Sequence, residues 1–229
     1  MITFGIITNS QHHSTDQNIR MSIILNSIEQ QHIPIYEIII VGDYVTKRDN
    51  ITCIPFDETI KKAWITKKKN IITQNAKHDV IVYMHDYIML SSNWYQGWSS
   101  FGYDWDIAMN VITNKDNTRF RDWCVFKYDG NVGANGVWTH TTPKHPPCTV
   151  SPYIPPYEYK QTQFMYISGS YWLAKKFVMI EEPLDEDFVW GQPEDIEWSE
   201  RVIPKYKYVM NTQSTVRLLH QKDPVWSPL

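Results

Sequence analysis

The sequence predicts an α/β protein built on a mostly parallel β-sheet with helices packed against it. Short, nearly continuous apolar segments recur in the first 90 residues, as is typical of strands that are buried on both faces. Segments with apolar residues at helical spacing lie between them, and this alternation indicates βαβ units. With 229 residues the chain is long enough for one substantial core, so we expect a single domain.

The elements of the first half follow from residue type and spacing. The first apolar strand ends in a polar stretch, and the helix after it is predicted from Ile19, Ile23, Ile24 and Ile28, with Pro34 as its limit. In chain order we predict strands over Ile2–Thr8, Tyr36–Val41, Ile51–Phe56 and Asp79–Met84, and helices over Asn18–Gln30 and Thr59–Ala76.

The second half is less regular. We predict strands over Asp104–Thr113 and Gln163–Tyr171, and a short helix over Ala174–Met179. Between them, Asp129–Tyr159 is rich in Gly, Pro, Thr and His. A loop of this length inside a compact domain is usually functional or disordered, and its aromatic residues favour a partly ordered substrate loop.

Composition excludes several classes of protein. The net charge of −3 gives no electrostatic footprint for nucleic acid or an anionic membrane, and the run Lys67–Lys69 is more typical of a solvated helix face than of a phosphate site. Three widely spaced cysteines argue against a disulfide framework or a cysteine zinc site. Without a secretory signal or an apolar run of roughly 20 residues, we expect a soluble, cytoplasmic protein, or a soluble piece of a larger one.

Three predicted strands end in polar side chains, namely Thr8, Asp43 and Asp86. In open parallel sheets ligands bind beyond the carboxyl ends of the strands, so these side chains are candidates for one site. A carboxylate at the tip of a buried strand needs a compensating cation or hydrogen-bond donor. A divalent metal shared with substrate phosphates would meet that need at Asp86. An Asp that merely caps the following turn is an equally good local interpretation.

A second group of candidates is the pair Glu194 and Asp195, which follows Pro193 and lies between Trp190 and Trp198. Pro at the first position of a helix with acids in its first turn is a favourable helix start, which is the structural interpretation. In the functional interpretation one acid binds a substrate hydroxyl and the other removes its proton. The two tryptophans would then offer faces on which a sugar ring stacks.

Taken together, five segments resemble the GT-A class of glycosyltransferases, of the family-2 and galactosyltransferase-like types. They occur in order over nearly the whole chain: Tyr36–Asp43 as the second strand with its terminal acid, Lys69–Ile81 as the "RN…A.gd.i" stretch, His85–Tyr87 at the DxD position, Ile167–Ser170 with Trp190–Asp195 as "sG…WG.gED", and Arg217–His220 as "R..H". The chain departs from the pattern at Tyr87, which replaces the second Asp, and at Gln192–Pro193, which lengthen the glycine-rich segment.

The resemblance implies a GT-A fold, with a mixed, mostly parallel sheet, a nucleotide-binding half over 1–90 and an acceptor-binding half over 91–229. It also implies inverting transfer of a sugar from a nucleotide-diphosphate donor, most commonly a UDP-sugar, to a glycan or other hydroxyl acceptor. The implied roles are Asp195 as base and Glu194 as orienting acid; Thr8, Asn9, Asp43, Lys69, His85, Asp86, Ser168 and Gly169 at the donor; Asp86 and His220 at a divalent metal, Mn²⁺ or Mg²⁺; and Trp190, Trp198, Trp123 and Arg119 toward the acceptor.

Two other functions remain open from the sequence. A sugar nucleotidyltransferase would use a related sheet, but Thr8–Gln11 stands where its glycine-rich basic loop would be expected. A non-catalytic carbohydrate-binding protein would use the 10 Trp and 14 Tyr residues equally well. It leaves unexplained the acid at the third strand end and the pair Glu194 and Asp195.

Overall fold

The computed structural model describes residues 1–9, 16–125, 154–189 and 191–222, together with the backbone of two short strands, 138–140 and 148–150. The strands among these residues are β1 (Ile2–Ile7), β2 (Tyr36–Gly42), β3 (Ile51–Pro55), β4 (Val80–His85), β5 (Ile88–Leu90), β6 (Ile107–Thr113), β7 (Cys124–Val125), β8 (Trp138–His140), β9 (Cys148–Val150), β10 (Met165–Tyr166), β11 (Tyr171–Lys175) and β12 (Tyr208–Leu218). The helices are α1 (Gln17–Glu29), α2 (Ile65–Asn75), α3 (Trp94–Phe101), α4 (Lys176–Glu181) and α5 (Glu194–Val202).

The main sheet has the strand order β3-β2-β1-β4-β11-β6-β12-β5 within the described part of the chain. The half made from the first 90 residues is parallel, since β1 pairs in parallel with β2 and β4, and β2 with β3. Strand β11 runs antiparallel to β4 and β6, whereas β12 is parallel to β6 and antiparallel to β5. The predicted α/β class with a mixed, mostly parallel sheet is therefore confirmed, and the carboxyl ends of β1, β2 and β4 meet at one edge.

Large aromatic side chains fill much of the core. Trp94, Trp98, Trp172 and Trp198 are all at most 1% exposed. Trp172 stacks on Tyr83 of β4 with the ring centroids 4.8 Å apart. Stacked aromatic pairs contribute about 0.5–1.5 kcal/mol beyond the burial of their area. Core packing thus accounts for many of the tryptophans that composition left open between core and sugar-binding roles.

Most first-half elements agree with prediction to within one or two residues, but the second helix was predicted too long. Helix α2 begins at Ile65 rather than Thr59. Ala63 has a φ of +47°, in the left-handed region that a right-handed helix cannot contain. The Glu58 carboxylate accepts a hydrogen bond from the Ala63 amide at 3.0 Å and pairs with Lys68, which stabilises a turn before the helix.

The single strand predicted over Gln163–Tyr171 is instead two strands in different sheets, since β10 pairs with β7 in a separate two-stranded sheet and β11 enters the main sheet at Tyr171. The Ile167 amide donates to Ser199 Oγ at 3.0 Å and the Gly169 amide donates to Asp195 Oδ2 at 2.9 Å. Side chains of α5 therefore accept these two amides, which a neighbouring strand would accept in a continuous sheet. The helix predicted at Ala174–Met179 begins two residues later than expected, at Lys176, and the prediction missed α3, β5, β7, β8, β9 and β12.

Helix α3 packs so closely on β12 that Gly97 has no room for a side chain. A Cβ atom there would lie 2.3 Å from the Gln213 carbonyl oxygen and 2.8 Å from the Ser214 amide nitrogen, both of them backbone atoms. We expect Gly97→Ala to lower the free energy of unfolding by about 1–3 kcal/mol, because this clash outweighs the gain of roughly 1 kcal/mol in helix propensity.

Chemical denaturation of Gly97→Ala, with Ser100→Ala as the matched control, measures this effect. Ser100 is exposed on the same helix, so its replacement should change stability by less than about 0.5 kcal/mol. If Gly97→Ala is as stable as the wild type, the close approach of α3 to β12 is incorrect.

Candidate functional site

The three predicted strand ends lie next to one another. Thr8 Oγ1 donates to Asp43 Oδ1 at 2.9 Å and accepts a hydrogen bond from the Asp43 amide at 3.1 Å. Gly42 makes this approach possible, since a Cβ atom there would lie 2.3 Å from Thr8 Oγ1 and its φ of +147° is unfavourable for other residues. The Asp86 amide donates to the Ile7 carbonyl at 3.2 Å, which places Asp86 beside Thr8.

A cleft of about 960 Å³ opens at this edge of the sheet. Its walls come from the ends of β1, β4 and β12, from α1 and from the turn before α2. Among the predicted donor and metal residues, Thr8, Asn9, His85, Asp86 and His220 line it. The volume is in the range of pockets that hold a drug-sized or cofactor-sized ligand.

Asp86 is paired with a cation that belongs to the chain itself. Arg20 of α1 donates from Nη2 to Asp86 Oδ2 at 3.0 Å and from Nε to the Asp86 carbonyl at 3.3 Å. The two side chains are 5% and 3% exposed. A buried carboxylate requires such compensation, and here the guanidinium of Arg20 supplies it.

Tyr87, which replaces the second acid of the expected pair, lies at the centre of an aromatic and cationic cluster. Its ring packs edge-on against His220, with centroids 4.8 Å apart, and the Lys222 ammonium lies 3.9 Å from the ring centroid. The Asn114 side chain, buried in the core, bonds both the amide and the carbonyl of Lys222 at 2.9 Å, which fixes the backbone of that lysine.

Glu194 and Asp195 form the first turn of α5, as predicted, with Pro193 before them. Asp195 Oδ2 accepts the Gly169 amide at 2.9 Å, and its Oδ1 accepts the Ile196 amide at 3.0 Å. The fully buried Lys69 donates from Nζ to the Gly169 carbonyl at 2.7 Å, and the same ammonium lies 4.2 Å from the centroid of Trp172. Gly169 therefore links Asp195, which its amide contacts, to Lys69, which its carbonyl contacts.

The segment Ser168–Ser170 also joins the acidic pair to the cleft. The residue after Gly169 is Ser170, whose carbonyl accepts the His85 amide at 3.1 Å and whose hydroxyl bonds the Tyr87 hydroxyl at 3.0 Å. One residue of this segment thus contacts Asp195 and the next contacts the cleft wall. The acidic pair and the cleft are neighbouring parts of one region.

Burial shifts the protonation of all three ionisable groups in this region. Burial is the main cause that raises the pKa of Glu194 to about 7, with the Asp195 charge adding to it and Lys69 opposing it. Burial also raises the pKa of Asp195, against the Gly169 amide and the Lys69 ammonium. The pKa of Lys69 is lowered to about 8 by burial, against the attraction of both carboxylates. Carboxylates with a raised pKa are stronger bases near neutral pH.

The raised pKa of Glu194 predicts a pH-dependent effect on stability. Above its ordinary value of 4.5 the unfolded chain loses this proton first, so the folded state loses stability as the pH rises toward about 7. We expect Glu194→Gln to raise the melting temperature at pH 8 and to raise it much less at pH 5, where the wild-type group is mostly protonated.

Thermal unfolding at both pH values measures this difference, with Glu200→Gln as the control because Glu200 is exposed on the same helix. An equal effect of Glu194→Gln at the two pH values would show that Glu194 does not carry the raised pKa.

Two of the three tryptophans predicted on the acceptor side, Trp198 and Trp123, are buried. Trp198 is 0% exposed; its indole N–H donates to the Glu182 carbonyl at 2.7 Å and its ring lies 5.9 Å from that of Trp172. It offers no open face, so its role is packing beneath the acidic pair. Trp123 is 4% exposed and stacks on Tyr208 at 5.1 Å. Trp190 and most of the 129–159 loop lie outside the described residues.

Several residues of this region were not predicted from the sequence. Arg20 and Lys222 have no sequence signal beyond their charge, since their significance comes from contacts with Asp86 and Tyr87. Asp122 is a third missed residue. It is fully buried, burial raises its pKa, and its carboxylate accepts hydrogen bonds from Arg119 Nε at 2.7 Å and from the Tyr157 hydroxyl at 2.8 Å. Through Asp122 this network holds Arg119 close to Tyr157, which lies near the end of the predicted 129–159 loop.

Within the described residues, no helix has both the length and the apolar character needed to cross a bilayer. No cluster of three or more His, Cys, Asp or Glu side chains suited to a metal ion occurs in the same residues. In that part of the chain the predicted pair Asp86 and His220 is thus not joined by a third His, Cys, Asp or Glu side chain.

Comparison with known proteins supports the fold. No family model and no curated protein sequence matches the chain. Among solved structures it is similar to S. aureus TarS 1–349, with a TM-score of 0.59 and 9% identity over 95% of this chain and 60% of that one. TarS 1–349 in complex with UDP-GlcNAc matches with the same TM-score and identity over 97% of this chain.

GalNAc-T7 with UDP, GalNAc and Mn²⁺ is also similar, with a TM-score of 0.62 and 13% identity over 97% of this chain and 44% of that one. The chain spans 60% or less of the length of these proteins. Both are GT-A glycosyltransferases. The strand order and these similarities together show that the chain has the GT-A fold.

Proposed function

We propose that this chain transfers a sugar from a nucleotide-diphosphate donor to a hydroxyl acceptor, and that Asp195 is the base. The observation that carries the proposal is the segment Ser168–Ser170, which joins a partly buried acidic pair to a cleft at the carboxyl ends of parallel strands. Nucleotides bind at this edge of open α/β sheets. A protein that only binds carbohydrate has no need of two adjacent, partly buried carboxylates with raised pKa values.

In the proposed reaction Asp195 accepts the proton of the acceptor hydroxyl while the hydroxyl oxygen attacks the anomeric carbon. The bond from that carbon to the diphosphate breaks on the opposite face, so the nucleoside diphosphate leaves and the configuration inverts. Glu194 orients the acceptor by accepting a hydrogen bond. Asp195 is suited to its role because the Gly169 amide fixes the orientation of its carboxylate and burial raises its pKa.

The nucleoside is assigned to the nucleotide-binding half, 1–90, and the acceptor to 91–229, while residues of both halves would contact the rest of the donor. Thr8, Asn9 and Asp43 would hold the nucleoside, Ser168 and Gly169 would contact the donor sugar, and Lys69 and His85 would lie near them. UDP is proposed as the nucleotide because the TarS and GalNAc-T7 structures contain UDP. Arg119, Trp123 and Trp190 remain proposals for the acceptor side.

A divalent cation at Asp86 and His220 remains a prediction, suggested by the Mn²⁺ in the GalNAc-T7 structure. The residues of this chain fit it poorly. The Asp86 carboxylate already accepts a hydrogen bond from Arg20, so a cation there would have to share the carboxylate with a buried guanidinium. Tyr87, which replaces the second acid, has no carboxylate to offer. We therefore assign no step of the reaction to a metal.

The experiment that tests the function is release of UDP from UDP-GlcNAc, UDP-glucose and UDP-galactose, with methyl glycosides as acceptors. We expect acceptor-stimulated release of UDP for one donor and, by NMR, a product of inverted anomeric configuration. A product with retained configuration would contradict the role of Asp195. Release no faster than that of Asp195→Asn with every donor would contradict transfer from these UDP-sugars.

A further inference from the structure

The donor cleft carries an excess of positive side chains, although the whole chain has a net charge of −3. Its described lining contains the cations Arg20, Lys68, Lys115, Arg217 and Lys222, and one acid, Asp86. A cleft lined by charges of one sign raises the local concentration of ligands of the opposite sign. The ligand that this lining favours is therefore an anion with several charges.

The cations differ in whether a carboxylate already neutralises them. Arg20 pairs with Asp86, and Lys68 pairs with Glu58. In the described part of the chain no carboxylate pairs with Arg217 or Lys222. Arg217 donates to the Lys115 carbonyl, and Lys222 lies over the ring of Tyr87. These two side chains thus bring positive charge to the cleft that nearby carboxylates do not cancel.

The geometry around Lys222 holds its charge in place. Asn114 fixes the lysine backbone through two hydrogen bonds of 2.9 Å, and the face of Tyr87 attracts the ammonium at 3.9 Å. Tyr87 directly follows Asp86 and replaces the second acid of the expected pair. The Lys222 ammonium therefore lies over the side chain that replaces that acid. The chain has a fixed cation there in place of a metal-binding carboxylate.

We propose that Lys222 and Arg217, together with the Arg20 that Asp86 holds in position, neutralise the donor diphosphate directly, so that donor binding needs no divalent cation. This inference rests on the proposed function, because it assigns the leaving group of that reaction. Negative charge grows on the diphosphate as the sugar departs, and fixed cations at that point stabilise it without reorganisation. Asp86 is then a positioning residue for Arg20.

Isothermal titration with UDP, GDP, CDP and dTDP, each in EDTA and in Mn²⁺, tests the inference. We expect one diphosphate to bind in EDTA within about threefold of its affinity in Mn²⁺, and more weakly as NaCl is raised, since salt screens exposed charges. For that diphosphate, Lys222→Gln should weaken binding about tenfold or more, the size expected for loss of one charge-assisted contact.

Lys77→Gln is the matched control, since it makes the same change at an exposed lysine before β4, at the opposite edge of the sheet. It should leave binding unchanged, and ligand-free unfolding checks that both variants fold. Binding that requires Mn²⁺, or that is unaffected by Lys222→Gln, overturns the inference and leaves the proposed transferase standing. Absence of binding under every condition overturns both.

Discussion

Replacing Asp195 by Asn is expected to lower turnover at least a hundredfold while nucleotide affinity changes little. A positioned general base contributes typically about 10²–10⁴ in rate, and an amide cannot accept the acceptor proton. The fold should tolerate the change, because the Asn side-chain oxygen can still accept the Gly169 amide that Asp195 accepts at 2.9 Å. Steady-state release of UDP, together with titration of UDP, measures the two effects separately.

Glu200→Gln is the control, as an acid-to-amide change on the exposed face of the same helix, and it should leave turnover unchanged. A loss of nucleotide affinity as large as the loss of turnover would place Asp195 in donor binding and remove it from the role of base.

Replacing Lys69 by Met is expected to lower the rate and to move the acid limb of the pH profile to higher pH. Lys69 lowers the pKa of both Glu194 and Asp195, so without its charge both carboxyls keep their protons to higher pH. In the wild type we expect activity to rise with pH and to approach its plateau above about 7, the pKa of Glu194. In the variant the same rise should occur at higher pH.

The pH dependence of kcat/KM distinguishes this role from a structural one. Lys67→Met provides the comparison on the same helix, since Lys67 pairs with Glu186 away from the acidic pair. Lys67→Met should keep the wild-type profile. A lower rate for Lys69→Met with an unshifted pH profile would show that Lys69 only packs against Trp172 and does not set the protonation of the acids.

The parallel half of the fold could be predicted because its strands are nearly continuous apolar segments. Strands β1, β2 and β4 are buried almost throughout, and such a pattern is legible in one sequence. Strand β12 was missed because exposed and polar residues interrupt it and its register shifts between Asn211 and Thr215. Helix α3 was missed because Gly97 lies in its middle, where it is retained for close packing rather than for helix propensity.

Site residues were predictable where position along a strand or helix sets their place. Asp86 follows β4, and Asp195 lies in the first turn of α5, as expected. The partners of these acids were not predictable, because they come from distant parts of the chain. Arg20 precedes Asp86 by 66 positions and Gly169 precedes Asp195 by 26, so only the folded structure shows which charge compensates which.

Trp198 illustrates the opposite case, in which residue type misleads. Its place beside the acidic pair in sequence indicated a surface for sugar stacking, but the helical turn between Asp195 and Trp198 directs the indole into the core. Trp198 follows Asp195 by three residues and therefore lies on nearly the same face of α5. Whether a side chain on that face is buried depends on the elements packed against the helix, which the sequence alone does not show.

The most direct test of a nucleotide-sugar donor site is thermal unfolding of the wild-type chain with UDP, GDP, CDP and dTDP at increasing concentrations. A ligand that binds only the folded state, at about a hundred times its dissociation constant, adds roughly 2.7 kcal/mol to the free energy of unfolding. We expect one diphosphate, most simply UDP, to raise the melting temperature in a saturable way, while its nucleoside alone does so much less. Equal melting temperatures with and without every diphosphate would contradict the donor site and, with it, the proposed function.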